Sequence, residues 1–279
     1  MNASMINAMV SMNALQQKLD LISDNIANVN TVGYKKKEAT FEDLLNNVKR
    51  QPEAFNLPGR LSPLNFNQGW GARMTMVQPN LAQGPMKATD LATDLAIEGN
   101  ALFEVVVDDA GTRAYTRNGS FQLTLNANGD TILATDEGYP VVANVPDADG
   151  NIVEGNLVIP EGYTLRVNAD GTVQGISSDG TINLGSIKLL QASRPAGLTA
   201  VADNLFTIAE GINVDDVVQQ IVPSLDNRIA LRQGYLEQSN VELTDEMTEL
   251  ISVQRAYQLA ARALSSSDTM LGLANTMRS

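Results

Sequence analysis

Apolar residues recur at helical spacing near both ends of this 279-residue chain, and at strand spacing between them. Met5, Ala8, Met12, Leu15, Leu19, Ile22, Ile26 and Val29 follow one another at alternating steps of three and four, the period of a coiled-coil seam. Near the other end Leu243, Met247, Leu250, Val253, Tyr257, Ala260 and Leu264 step by three or four, and the stripe resumes at Leu271 and Ala274. The pattern predicts a first helix over residues 4–29, closed by Asn28, Asn30 and Gly33, which tolerate a left-handed backbone. A closing helix is expected within 236–279, entered through a capping box at Ser239 and Glu242. Its Ser265–Ser267 run is the expected weak point. Phe41, Leu44, Leu45 and Val48 suggest a short amphipathic helical segment.

Between the helices the signals change. Prolines and glycines from Pro52 to Pro85 punctuate an arm that still carries Phe55, Leu57, Leu61, Leu64, Phe66 and Trp70, too apolar for a free tether. Strands are expected at 102–107, 114–117, 121–125, 139–145, 157–159, 163–167, 172–176 and 182–190. Asn128-Gly129, Asp149-Gly150, Asp170-Gly171 and Asp179-Gly180 fall between them and supply the positive φ of two-residue hairpin turns. Residues 213–222 read as a short helix ended by Pro223. The expected class is α+β, with N- and C-terminal helices forming a coiled-coil assembly domain and, between them in sequence, a central all-β domain of hairpins. Its segments are 1–50, an arm at 51–85, the β-domain at 86–212, a return at 213–235 and the closing helix at 236–279.

The apolar seams point to assembly. Fully burying one Leu, Ile or Met stabilises by roughly 1.5–3 kcal/mol, so the first seam alone can outweigh a domain's net stability. A two-helix contact leaves faces of that kind short of cover.

Composition narrows the chemistry. The chain has no Cys and no His, which removes disulfides, Cys/His zinc sites, Cys nucleophiles and His-dependent triads. Net charge is −13. Residues 86–212 hold 6 basic and 17 acidic side chains, against 6 and 5 in residues 1–50. An acidic middle disfavours nucleic acid as a partner, and the Lys35–Lys37 run does not reverse that. The first cation is Lys18 and polar residues interrupt the apolar ones before it, so no Sec-type signal is expected. No stretch approaches the roughly 20 apolar residues of a membrane span.

Two constellations invite catalysis or metal binding. Asp147 and Asp149 before Gly150 resemble the start of a calcium loop, but Gly follows the second acid directly and a third ligand is missing, so a hairpin turn is expected. Asp90, Asp94, Glu98, Glu104, Asp108, Asp109, Asp136, Glu137 and Glu161 could hold a glycosidase pair, a requirement that almost any acidic β-domain meets. The reading is a protein without enzymatic activity, cofactor, metal or small-molecule substrate.

The run Ile22-Ser23-Asp24-Asn25-Ile26-Ala27-Asn28-Val29-Asn30-Thr31-Val32-Gly33-Tyr34-Lys35 resembles the N-terminal signature of bacterial flagellar rod and hook proteins, ISxNIANxxTxGYK. Leu236-Glu237-Gln238-Ser239-Asn240-Val241, Gln254-Arg255-Ala256-Tyr257 and Asp268-Thr269-Met270-Leu271 look like the same family's LExSNV, QRAY and DxML elements. Ala96-Ile97-Glu98-Gly99 with Phe103, then Tyr115-Thr116-Arg117-Asn118-Gly119-Ser120-Phe121 and Gly138-Tyr139-Pro140-Val141, are similar to its β-domain pattern. Length suits a rod protein of the distal-rod or proximal-rod type better than the longer hook subunit, with the distal-rod type the nearer likeness.

That resemblance implies a structural subunit of the basal-body rod, polymerising with itself into a helical tube that carries torque from motor to hook and filament. It also implies contact with other rod and hook proteins, and passage through the flagellar export apparatus without a cleaved signal. It gives Asn25, Asn28, Thr31, Gly33, Tyr34, Lys35, Ser239, Asn240, Val241, Arg255 and Tyr257 as the motif residues. The alternative from another class is a secreted oligomeric adhesin or surface module.

Overall fold

The computed structural model describes residues 2–43, 72–108, 111–126, 129–146, 151–178, 180–202, 204–209, 211–223 and 228–277. Helix α1 (Asn2–Ala27) is followed by β1 (Lys37–Asp43), β2 (Ala72–Pro79), β3 (Met86–Ala88), β4 (Leu95–Glu98), β5 (Leu102–Val106) and β6 (Arg113–Thr116). Next come β7 (Phe121–Leu125), β8 (Thr131–Thr135), β9 (Val142–Pro146), β10 (Ile152–Asn156), β11 (Thr164–Val167) and β12 (Thr172–Ser177). After β13 (Gly180–Ile187), β14 (Leu189–Ala192), β15 (Leu198–Ala202) and β16 (Leu205–Ile208) the chain makes one helical turn, α2 (Val214–Val217). It ends with β17 (Val218–Ile221), β18 (Ala230–Gln233), β19 (Tyr235–Glu237) and helix α3 (Leu243–Thr276). Two compact units result, one of residues 1–26, 38–77 and 243–279, the other of 27–37 and 78–242.

In the first unit α1 and α3 lie antiparallel. Lys18 Nζ meets Glu249 Oε1 at 2.5 Å, and further along α1 Asn25 Nδ2 donates to Glu246 Oε2 at 3.2 Å, so the pairing ascends one helix as it descends the other. Lys18 also lies 5.5 Å above the Phe41 ring of β1. Ala14, Ile22 and Asn25 of α1 and Glu246 and Val253 of α3 are buried. Met5, Ala8, Met12, Leu15, Leu19, Ile26, Leu250, Tyr257, Ala260 and Leu264 are half-buried beside them. Two predicted seam residues fall outside this stripe: Leu243 and Met247 are 44% and 45% exposed. Glu246 takes the inward position in the first turn of α3, and Leu243 and Met247 flank it. The side chain of Leu271 lies outside the described residues.

Several boundaries move from the expected ones. The segment around Phe41 is strand β1, paired with β2 and tied by Thr75 Oγ1 donating to Thr40 O at 3.1 Å; Leu44, Leu45 and Val48 lie outside the described residues. Thr40 and Phe41 favour the pleated backbone, and pairing with β2 holds the segment extended against the weak strand propensity of its Lys, Glu, Ala and Asp. Arm residues 72–79 likewise form a strand, whereas Phe55, Leu57, Leu61, Leu64, Phe66 and Trp70 fall outside the described set. The closing helix begins at Leu243, because 235–237 are held in strand β19 against β3. Ser239 therefore makes no capping box; its Oγ accepts from Val241 N at 3.3 Å in the approach to α3. The Ser265–Ser267 run does not interrupt α3, and Thr269 Oγ1 donates back to Ser265 O at 2.9 Å.

The second unit is built of antiparallel sheets. One has six strands in the order β15-β16-β6-β5-β14-β17, another five in the order β10-β9-β13-β12-β11, and the pairs β18-β4, β19-β3 and β7-β8 complete it. Gly171, φ +84°, turns the β11–β12 hairpin, and Gly129 lies in the β7–β8 turn. Inward residues such as Leu95, Phe103, Leu133, Leu157, Val173 and Leu189 form one core, with the Phe103 and Phe121 rings edge to face at 5.1 Å. Residues 157–159 make only a bridge, Ile132 to Val158, rather than a strand. The expected helix at 213–222 is a single turn that runs into β17, since Val218, Gln219, Gln220 and Ile221 pair with β14. Asp147, Asp149 and Gly150 lie outside the described residues.

Candidate functional site

Charged side chains meet in the interior of the second unit, where Lys35, Arg117 and Glu237 each have about 1% of the side chain exposed. Gly33 turns the chain out of the α1 exit with φ +69°, and its N–H donates to Glu237 O at 2.8 Å. A Cβ there would stand 2.5 Å from Asn118 N. That turn delivers Tyr34, itself buried, and Lys35 into the β-unit. Arg117 follows directly on β6, and Glu237 ends β19.

Glu237 is the hub. Its Oε1 accepts from Lys35 Nζ at 2.8 Å and from Gly84 N at 2.7 Å, and its Oε2 accepts from Arg117 Nε at 2.5 Å. Lys35 Nζ also donates to Ala82 O at 2.7 Å. Arg117 Nη2 donates to Ile97 O at 2.9 Å and Gly99 O at 2.6 Å, and Nη1 donates to Ala101 O. One carboxylate thus faces two cations, with backbone carbonyl dipoles supplying the rest of the negative field. Burial, then the like charge of Arg117, pushes Lys35 down to about 8 against the pull of Glu237. Burial also lowers Arg117, opposed by Glu237.

Asparagines fasten the surrounding chain. Asn240 Oδ1 accepts from Lys36 N at 2.7 Å, while its Nδ2 donates to Asn80 O and Ala82 O, both at 2.9 Å. Asn204 Nδ2 donates to Val32 O at 2.8 Å. Asn28 Oδ1 accepts from Thr31 Oγ1 at 3.0 Å. Of the predicted motif residues, Asn28, Thr31, Gly33, Tyr34, Lys35, Ser239, Asn240 and Val241 all belong to this unit, as does the half-buried Val29. Asn25, Arg255 and Tyr257 sit on the helices instead. Glu237 and Arg117 carry the junction, yet nothing in their local spacing marks them as partners; both stand inside quoted family elements, 115–121 and 236–241, but neither was singled out as a site residue.

A second charged group lines an open groove of about 710 Å³. Arg113 bridges Glu104 and Glu154, both at 2.7 Å, and Lys188 bridges the same two acids at 2.8 and 2.7 Å. Glu154 is held below its usual range by hydrogen bonds from Lys188 and Arg113, and burial with the Glu104 charge pushes Tyr115 up to about 12. Both carboxylates are pinned by two cations each, which is the opposite of a poised acid and base. No cluster of three metal-ligating side chains occurs among the described residues.

Three family models match separate stretches: a flagella basal body rod protein model over residues 5–35, the flagellar hook protein FlgE/F/G D1 domain over 96–184, and the flagellar basal body rod FlgEFG protein C-terminal model over 232–277. The chain is 36% identical over 269 residues to the flagellar basal-body rod protein FlgG of Borreliella burgdorferi, covering 96% of this chain and 95% of that one. The chain belongs to the flagellar basal-body rod protein family. The flagellar hook-basal body complex protein FlhP of Bacillus subtilis is 34% identical over 284 residues, 99% of each chain, and FlgG of Caulobacter vibrioides is 32% identical over 275 residues, 96% of each.

As a member of the rod family it is a structural subunit of the basal body, without enzymatic function, and the adhesin alternative finds no support in these matches. The buried triad takes one residue from each matched stretch: Lys35 from the first, Arg117 from the second, Glu237 from the third.

Proposed function

We propose that this rod-family subunit polymerises with itself into a helical tube that transmits torque to the hook and filament, and that it adjoins other rod and hook proteins in that axis. The observation that carries this reading is the antiparallel α1–α3 pair, which leaves large apolar residues such as Leu259 and Met270 exposed, 65% and 58%, on a helix already packed along another face. In the assembled rod, segments 1–50 and 236–279 form a coiled-coil assembly domain and 86–212 a separate β-domain. Met5 to Val29 and Leu243 to Leu271 supply the interface. Contacts that are head-to-tail and do not close by rotation give an open filament, and packed interiors resist twisting. The subunit reaches its site through the flagellar export apparatus without a cleaved signal.

Mass spectrometry of purified hook-basal bodies tests this, with the wild-type chain expected intact from Met1 and in multiple copies. Leu19→Asp with Ile22→Asp is expected to leave the β-unit folded and to stop incorporation; a variant that incorporates normally sinks the reading.

A further inference from the structure

Two outward stripes remain on the helices, each on the side away from the contact between them. On α3 the stripe is Ile251, Arg255, Leu259, Arg262, Ser266, Met270 and Leu273, all exposed. Ile251 and Arg255 stand two residues either side of buried Val253, about 200° around the helix. On α1 the stripe is Ile6, Met9, Asn13, Gln17, Asp20 and Asp24, also exposed, and Asp20 and Asp24 bracket buried Ile22 in the same way.

The stripes match each other in reverse. Backwards from Leu273, α3 gives Met270, Ser266, Arg262, Leu259 and Arg255, at steps of three, four, four, three and four. Forwards from Ile6, α1 gives Met9, Asn13, Gln17, Asp20 and Asp24 at the same steps. Laid antiparallel, Ile6 faces Leu273 and Met9 faces Met270, small polar Asn13 faces Ser266, and Asp24 faces Arg255. Asp20 then lies level with Leu259, between Arg255 and Arg262. Pairing α1 with another α1 would set acids against acids or against Ile6 and Met9, and pairing α3 with α3 in parallel would set arginines against arginines.

We propose that the outer stripe of α1 docks antiparallel on the outer stripe of α3 in a second copy of this chain, in the register that places Met9 on Met270 and Asp20 between Arg255 and Arg262. This deepens the rod reading and rests on it. Charge complementarity at one end and apolar contact at the other fix both direction and register. Because the two stripes face away from each other within one subunit, the contact is available only between copies.

The chain has no Cys, so cross-linking reads the register directly. In the full chain, Met9→Cys with Met270→Cys is expected to give a disulfide ladder in isolated basal bodies. Met9→Cys with Arg255→Cys, displaced by about 22 Å along α3, is expected to give none. Arg255→Glu with Arg262→Glu is expected to lose incorporation, and adding Asp20→Arg to restore part of it. No ladder from the matched pair, or equal ladders from both, overturns this surface while the rod reading stands, provided the wild-type chain is present in those basal bodies. Absence of the wild-type chain from them overturns both.

Discussion

Lys35 and Glu237, 202 residues apart in sequence, form a 2.8 Å ion pair with about 1% of either side chain exposed. With Arg117 on the other carboxylate oxygen, the pair ties the segment leaving the first helix to the strand that precedes the last. A junction so dry is costly to form from isolated ions and far costlier to leave half-made.

Replacing Glu237 by Leu strands two buried cations and the Gly84 N–H. The expected loss is about 3–5 kcal/mol, read from the urea midpoint of the full chain. Double replacement with Lys35→Met should recover part of it, since one of the stranded charges goes too.

Lys35 gives the stability a pH dependence of unusual sign. Burial brings the folded side chain down to about 8, from 10.5 for a free lysine. Between those values the unfolded chain binds more protons, so stability rises with pH, at a slope approaching about 1.4 kcal/mol per pH unit from this group. Urea midpoints at intervals across the window should climb, and Lys35→Met should flatten the climb.

At Gly33 two penalties coincide, a positive φ and a Cβ position 2.5 Å from Asn118 N. Gly129 has φ +87° and open space around its Cβ position. Gly129→Ala is expected to cost about 1–2 kcal/mol from the backbone alone. Gly33→Ala should cost clearly more, and Gly33→Val should also impair rod assembly, measured as lost motility.

Asn240→Ala removes three hydrogen bonds to the backbone of residues 36, 80 and 82. Stability should fall by about 1–3 kcal/mol, and hydrogen exchange should quicken at Lys36 N–H, the donor to Asn240 Oδ1.

Burial separates residues that the helical pattern treats alike. Ile22 is 1% exposed and Met247 45%. Ile22→Ala is expected to destabilise the full chain by about 2–5 kcal/mol, and Met247→Ala to stay within about 0.5 kcal/mol. Thermal midpoints decide between them.

The seam periods made both helices legible, and the Gly-bearing turns made the hairpins legible, because these depend on neighbours three, four or two residues away. Boundaries were less so. Ser239 and Glu242 have capping-box spacing, yet β3 claims residues 235–237 first, a pairing with a strand about 150 residues away. Val218 to Ile221 likewise join β14 rather than a helix. The family signature pointed to Gly33, Tyr34, Lys35 and Asn240 before any contact was known.

The sequence by itself determined the class, the helical ends and the acidic β-rich middle, since composition and short-range periodicity are properties of local chain, while the resemblance of its motifs carried the family. Only the tertiary structure decided that Lys35, Arg117 and Glu237 share one dry site, and which face of each helix is covered. Ion pairing across 202 residues leaves no periodic trace, because nothing local constrains which distant charge a buried lysine will meet.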